Sequence, residues 1–561
     1  MHRFTPAFRR LLASTIAPLL LVPAFAPSAH AQQEGSTSAF GEVIDVRVVN
    51  LEVVVTDRKG NRVTGLTPGD FVLKVDGKEV PIDYFSEVQG GISVAPTGAQ
   101  TVQGLPTLTP GAPVGTSYLV FIDDFFAVER DRNRVIDSLD QQLPLLTPED
   151  RMAIVAFDGK KLTMLTSWSQ SSRELGRALR EARVRPAFGL QRLSEVKQLA
   201  SSRTVLRQAG FDPSPYSFPG GDITTRLSVE EKEFAERRSS QVQRVITAAA
   251  ATLRSFAMPP GRKVMMLLSG GWPFDPAQAA AEDASRPVLD EGFPRSTALY
   301  RPLVDTANLL GYTLYPVDVP GLIGNGPDAS VEGIPAPQAG LESPELEAET
   351  SLTHIASRTG GKALLNALRV QALGQAATDT RSYYWLGFTP QRQRDDKPHR
   401  IAVDVRRDGL RVRSRRGFLD SSRRTEVSAM VESALLFGSA PTSAVLPVRL
   451  GEGKKAGRDL LDVPIEIAIP VDQITVVPVG ERYVSELELR VAVVDEDGWT
   501  SEIPVLPLKL EAPQQPVPGG HVRYATTIKL RKKKCDLVIA VYDVPSGRLV
   551  ATRIQFQPPG R

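Results

Sequence analysis

Between residues 41 and 88 apolar and polar positions alternate in short runs, such as Ile44-Asp45-Val46-Arg47-Val48 and Phe71-Val72-Leu73-Lys74-Val75. Arg58-Lys59-Gly60-Asn61 and Asp76-Gly77-Lys78 supply turn signals between them. This pattern predicts a small β-domain over 36–89, and the Gly-, Pro-, Thr- and Ala-rich stretch 90–116 reads as a linker. From Ser117 the rhythm changes. Tyr118-Leu119-Val120-Phe121-Ile122 is uninterrupted apolar, as in a parallel strand covered on both faces. A charged amphipathic helix follows, with Val135, Leu139 and Leu143 on one stripe. Strands predicted at 151–157, 161–167, 263–268 and 313–318 are interspersed with helices at 171–182, 296–310 and 344–358, the last stopped by Gly360-Gly361. The result is a doubly wound, Rossmann-like α/β domain over 117–380, with an insertion at 185–226 that holds a helix over 194–208.

Residues 381–420 return to the β-pattern. They are expected to complete the domain at 36–89, because each piece alone is too small to bury a core. A connecting helix is predicted over 424–438. Regularly spaced short strands over 440–561 predict an immunoglobulin-like β-sandwich. The fold class is therefore multidomain, α/β plus all-β.

The first 31 residues are expected to be a secretory signal. Arg3, Arg9 and Arg10 precede a short apolar run broken by Pro18 and Pro23, and Ala29-His30-Ala31 offers small residues for cleavage. The mature protein is then exported, to the periplasm or the extracellular space. Removing those arginines leaves 64 basic and 64 acidic residues, a balance that argues against nucleic-acid binding. A single cysteine excludes an intramolecular disulfide and a thiolate metal site. His354, His399 and His521 remain, none in a metal-spaced pair or beside a candidate nucleophile.

Ordered motifs carry a resemblance. Asn50-Leu51-Glu52-Val53-Val54-Val55-Thr56-Asp57, Gly65-Leu66-Thr67-Pro68-Gly69-Asp70-Phe71, Gly261-Arg262-Lys263-Val264, Leu314-Tyr315-Pro316-Val317-Asp318, Thr359-Gly360-Gly361-Lys362-Ala363 and Tyr383-Tyr384-Trp385-Leu386-Gly387-Phe388-Thr389-Pro390 occur in sequence. Over 40–419 the chain resembles the bacterial von Willebrand factor A-related family of exported proteins. The resemblance implies a divalent-cation site at the carboxyl end of the sheet, with an Asp-x-Ser-x-Ser loop, a second-loop Thr and a further Asp as ligands. Here the loop reads Asp123-Asp124-Phe125-Phe126-Ala127, both serine positions are lost, and Gly270 stands where the family has its Asp. Thr224 or Thr225, placed before a helix from Ser228, matches the second-loop Thr. Asp123, Asp124 and Asp275 are the alternative carboxylate cluster, and the whole reads as a remnant site, with Mg²⁺ as the ion it would take. No other cofactor is expected.

The same end of the sheet is elaborated by long loops, which favours recognition. Tyr216, Phe218, Phe125, Phe126 and Trp272 are the candidate contacts for a protein partner. Arg411, Arg413 and Arg415 alternate along a strand with Arg416 beside them, either a solvated strand face or a contact for an anionic surface. Lys532-Lys533-Lys534 reads as a charged strand end and Cys535 as a small buried residue. The expected function is non-enzymatic protein binding through the upper loops. A Mg²⁺-dependent adhesin or envelope assembly factor is the alternative, and a hydrolase stands behind both.

Overall fold

The computed structural model describes residues 49–94, 108–208, 221–256, 261–276, 296–321, 344–390, 394–438 and 445–558. Residues 1–31, expected to be a signal, lie outside them. The chain divides into two compact units, Val46–Ser421 and one built on Ser422–Arg561. Its architecture is α/β plus antiparallel β. No helix among the described residues is long and apolar enough to cross a membrane.

The first unit holds a mixed five-stranded sheet in the order Tyr312–Asp318, Arg262–Ser269, Thr116–Asp123, Arg151–Phe157, Leu162–Ser169. The first four strands are parallel and the edge strand Leu162–Ser169 is antiparallel. The continuous apolar run predicted a doubly covered strand, and all eight residues of Thr116–Asp123 are buried. Each large apolar side chain removed from water there contributes about 1.5–3 kcal/mol. Helices α1 (Glu129–Gln142) and α2 (Ser172–Arg183) cover one face, joined by α7 (Ala372–Thr380) in the same apolar core. Ser171 caps α2 by accepting the Glu174 N–H. The remaining helices are α3 (Gly189–Gln208), α4 (Gly221–Ser255), α5 (Ser296–Leu310) and α6 (Pro344–Thr359).

Within the same unit two antiparallel sheets enclose a second core. The strand Tyr383–Phe388 lies between Val49–Thr56 and Tyr84–Gln89, and Pro398–Val405 pairs with Phe71–Val75. Leu51, Val53, Phe71, Phe85, Tyr384, Leu386 and Ile401 fill the space between the sheets. The stretch read as a linker is partly ordered by pairing. Gly90 and Gly91, at φ 59° and 85°, form a two-residue hairpin turn that returns Ile92–Ser93 onto Tyr84–Gln89. Arg262, at the start of its parallel strand, joins the two cores. It is ion-paired to Glu52 at 2.9 Å, donates to the Thr380 carbonyl and lies over the Tyr383 ring.

In the second unit α8 (Arg423–Phe437) begins at Ser422, whose hydroxyl accepts the Thr425 N–H, and ends at Gly438 in the left-handed conformation. Leu460–Pro470 is the central strand of one antiparallel sheet and pairs along its length with His521–Arg531, and Arg482–Asp495, Cys535–Asp543, Leu549–Phe556 and Val505–Ala512 make most of the other. Their inward residues share one core, and α8 packs Val431 and Leu435 on Ala492, Val538 and Ala540. The three lysines form the turn before Cys535, with Lys533 paired to Asp497. Cys535 is buried, and burial pushes its thiol up to about 12, an unreactive state.

Candidate functional site at the carboxyl end of the parallel sheet

In-register pairing of Ile122 with Leu268 and of Asp318 with Ser269 brings Asp123, Gly270 and Asp318 to one end of the sheet. Asp123 is fully buried. Its Oδ1 accepts the N–H groups of Phe125 and Phe126, both at 3.0 Å, which turns the chain sharply away from the strand. Its Oδ2 accepts the Trp272 indole N–H at 2.6 Å and the Gly270 N–H at 3.3 Å. A carboxylate offers about four lone-pair sites, and here four N–H donors occupy them. Burial pushes the Asp123 carboxyl up to about 6 against the pull of the Trp272 hydrogen bond and the others.

Asp124 is buried beside it and turned the other way. Its Oδ1 accepts from Arg132 Nη1 at 2.6 Å and its Oδ2 from Arg185 Nε at 2.8 Å. Burial raises its pKa, offset by these two guanidinium groups. Arg132, fully buried on α1, also donates to the carbonyls of Arg183 and Arg185, so it fixes the end of α2 and the start of the insertion. The Phe188 N–H to the Asp124 carbonyl and the Gly189 N–H to the Ala127 carbonyl then seat the first turn of α3 against the 124–127 loop.

This arrangement does not fit a Mg²⁺ site. The ion would have to displace N–H donors from Asp123 and face two positive charges at Asp124. Asp275 lies in a loop whose backbone N–H donates to Glu347. Among the described residues the converging group of metal-type side chains is Asp395, His399 and Asp420, which does not include Asp123, Asp124 or Asp275. Thr224 and Thr225 belong to α4, which starts at Gly221 instead of Ser228, so the expected second-loop position is helical backbone.

The aromatic contacts divide. Tyr216 and Phe218 lie outside the described residues. Phe125, Phe126 and Trp272 are buried, so their assignment as partner contacts is corrected. The guanidinium of Arg192 lies 4.6 Å from the Phe125 ring centroid and that of Arg238 4.6 Å from the Phe126 centroid, which roofs the pair with cations. Trp272 has an internal role on Asp123. Its carbonyl accepts the Ser351 hydroxyl, which locks it to α6.

The arginine face is also corrected. Arg411 is exposed, but Arg413 pairs with Asp379, and buried Arg415 donates to the Asn308 and Asn50 carbonyls. Neither side chain belongs to a free strand face. Two further features have no signal in sequence spacing. Arg132 looks like any arginine of a charged helix, and His399 meets its acids through non-local pairing, with Asp76 Oδ2 2.7 Å from its Nδ1.

No family model matches the chain, and no curated protein matches it. One solved structure, described as the X-ray structure of Northeast Structural Genomics Consortium target SoR45, aligns with 20% of this chain and 85% of its own at 18% identity. Its TM-score of 0.12 supports no argument about fold or function.

Proposed function

We propose that the protein is an exported, non-enzymatic interaction module. In this reading a von Willebrand factor A-like domain binds a protein partner through the end of its sheet without a metal bridge, and the second unit is an immunoglobulin-like sandwich. The observation that carries the reading is an apolar stripe on α3. Leu190, Leu193 and Val196 follow at helical spacing and are 65%, 45% and 37% exposed. They belong to the insertion seated by Arg132 and Arg185. Scattered surface hydrophobics need no explanation, whereas a stripe on an inserted helix beside a rigid sheet end suits recognition. The segment with Tyr216 and Phe218 belongs to the same insertion. The saturated carboxylates of Asp123 and Asp124 count against the Mg²⁺-dependent adhesin.

The test is affinity capture of the mature protein from its native envelope, with and without EDTA, by wild type and by Leu190→Glu/Leu193→Glu. A partner retained in EDTA and lost by the variant, at unchanged melting temperature, is expected. Release by EDTA with recovery in Mg²⁺ contradicts the proposal.

A further inference from the structure

We propose that the Val46–Ser421 unit also carries an anion site, independent of the partner-binding reading, that takes a ligand with two or more phosphate groups. A cleft of about 450 Å³ opens between the end of α6 with the 361–363 turn on one side and the Pro398–Val405 strand with residues 412–416 on the other. That volume lies within the usual range for small-ligand sites. Arg358 and Lys362 line the first wall, Arg400, Arg413 and Arg416 the second, and no carboxylate lines either.

Only Arg413 is neutralised, by Asp379. Among the described residues Arg358, Lys362, Arg400 and Arg416 form no ion pair within 4.0 Å. Asp305 on α5 senses the charge of Arg358 without pairing with it, and Asp76 accepts the backbone N–H of Arg400, not its side chain. These four cationic side chains are exposed, and what sets them apart is their convergence with Arg413 on one cleft whose lining holds no carboxylate.

The walls are held by backbone, which keeps the charges together. The Arg416 N–H donates to the Arg358 carbonyl at 3.2 Å, the Ile401 N–H to the Arg416 carbonyl at 3.0 Å, and Arg413 Nη1 to the Gly360 carbonyl at 2.8 Å. Like charges fixed around a concave surface focus a positive potential inside it. Guanidinium groups meet phosphate through paired, charge-assisted hydrogen bonds, and lysine meets it as a point charge. Cations on both walls call for anionic groups at both ends of the ligand, which a single phosphate cannot supply. A free oligophosphate and the phosphates of clustered lipid headgroups share this chemistry.

The experiment uses the full mature chain at constant ionic strength. Tripolyphosphate is titrated by calorimetry, and flotation measures binding to phosphatidylcholine vesicles with and without phosphatidylglycerol. Wild type is expected to bind one of these probes, and Lys362→Glu/Arg400→Glu to bind it at least tenfold more weakly at unchanged melting temperature, both side chains being exposed. Lys362→Gln alone, should the double variant misfold, is expected to weaken binding severalfold. Lys454→Glu/Lys455→Glu, on an exposed strand of the second unit, is expected to have no effect. Tripolyphosphate binding without vesicle binding identifies a soluble ligand; phosphatidylglycerol-dependent flotation that tripolyphosphate displaces identifies a headgroup. Binding of neither probe, or equal loss in the Lys454/Lys455 control, overturns the site.

Discussion

Replacing Gly270 by alanine probes how tightly the end of the sheet is closed. A Cβ built there would lie 2.2 Å from the Ala127 nitrogen, 2.3 Å from the Phe126 carbonyl carbon and 2.6 Å from Phe126 Cβ. Carbon atoms prefer about 3.5–4.0 Å, so the 126–127 backbone must retreat by more than an ångström. That backbone donates the Phe126 N–H to the buried Asp123 carboxylate. Overpacking costs about 1–3 kcal/mol, and a weakened hydrogen bond to a charged group adds about 1.5–3 kcal/mol. The expected loss is thus about 2.5–6 kcal/mol, or roughly 3–8 °C in the melting temperature of a unit as long as Val46–Ser421, at about 2.1 cal/mol/K of unfolding entropy per residue. Differential scanning calorimetry measures it. Gly69→Ala serves as the control, since its added methyl meets nothing nearer than 3.9 Å. Gly270→Asp would suffer the same clash and gain no Mg²⁺ binding, although it restores the acid that the resemblance calls for. A Gly270→Ala protein melting within 1 °C of wild type would falsify the close-approach argument.

Trp272→Phe removes the strongest donor to Asp123 while keeping an aromatic ring in place. The loss is expected to be about 1.5–3 kcal/mol and larger at pH 8 than at pH 5, because the missing hydrogen bond served the ionised carboxylate, whose pKa lies at about 6; thermal melts at the two pH values check the difference. Arg132→Met leaves Asp124 buried against Arg185 alone and should cost about 3–5 kcal/mol, partly recovered in Asp124→Leu/Arg132→Met, as denaturant titration would show. Asp379 is held down to about 2: burial pushes it up, but Arg413, the Tyr315 hydroxyl and Arg62 outweigh burial. Its contribution, about 2 kcal/mol, is therefore present above the ordinary carboxyl value of 3.8 and lost as pH falls toward 2. Asp379→Asn should lower stability at pH 7 and flatten the acid limb between pH 4 and 2; an unchanged limb contradicts the assignment.

Periodicity along the chain made the elements legible because burial on both faces leaves a local trace. The run at 118–122 lies inside the fully buried strand Thr116–Asp123, and Ser422 with Gly438 bounds α8 close to its expected ends. The departures from the resemblance at the sheet's end, Phe125 and Ala127 at the serine positions and Gly270 at the Asp position, were legible in the sequence. What the Asp123 carboxylate holds was not, since Trp272 and Asp123 are 149 residues apart and no local pattern announces their hydrogen bond. Phe125 and Phe126 look exposed in a polar loop until α3 and α4 bring arginines over them. The alternation at Arg411 and Arg413 marks the strand Arg411–Arg413, yet Arg413 finds Asp379 across the fold. Thr224 and Thr225 follow a Gly-Gly pair that suggests a loop, but α4 already starts at Gly221.

The central claim is that Asp123 and Asp124 form an internal clamp, holding N–H and guanidinium groups at the end of the sheet. Calorimetric titration of the full chain with Mg²⁺, in wild type and Asp123→Ala, tests it most directly. No difference in Mg²⁺ heat between the two proteins is expected, together with a lower melting temperature for Asp123→Ala. A stoichiometric isotherm in wild type that vanishes in Asp123→Ala contradicts it.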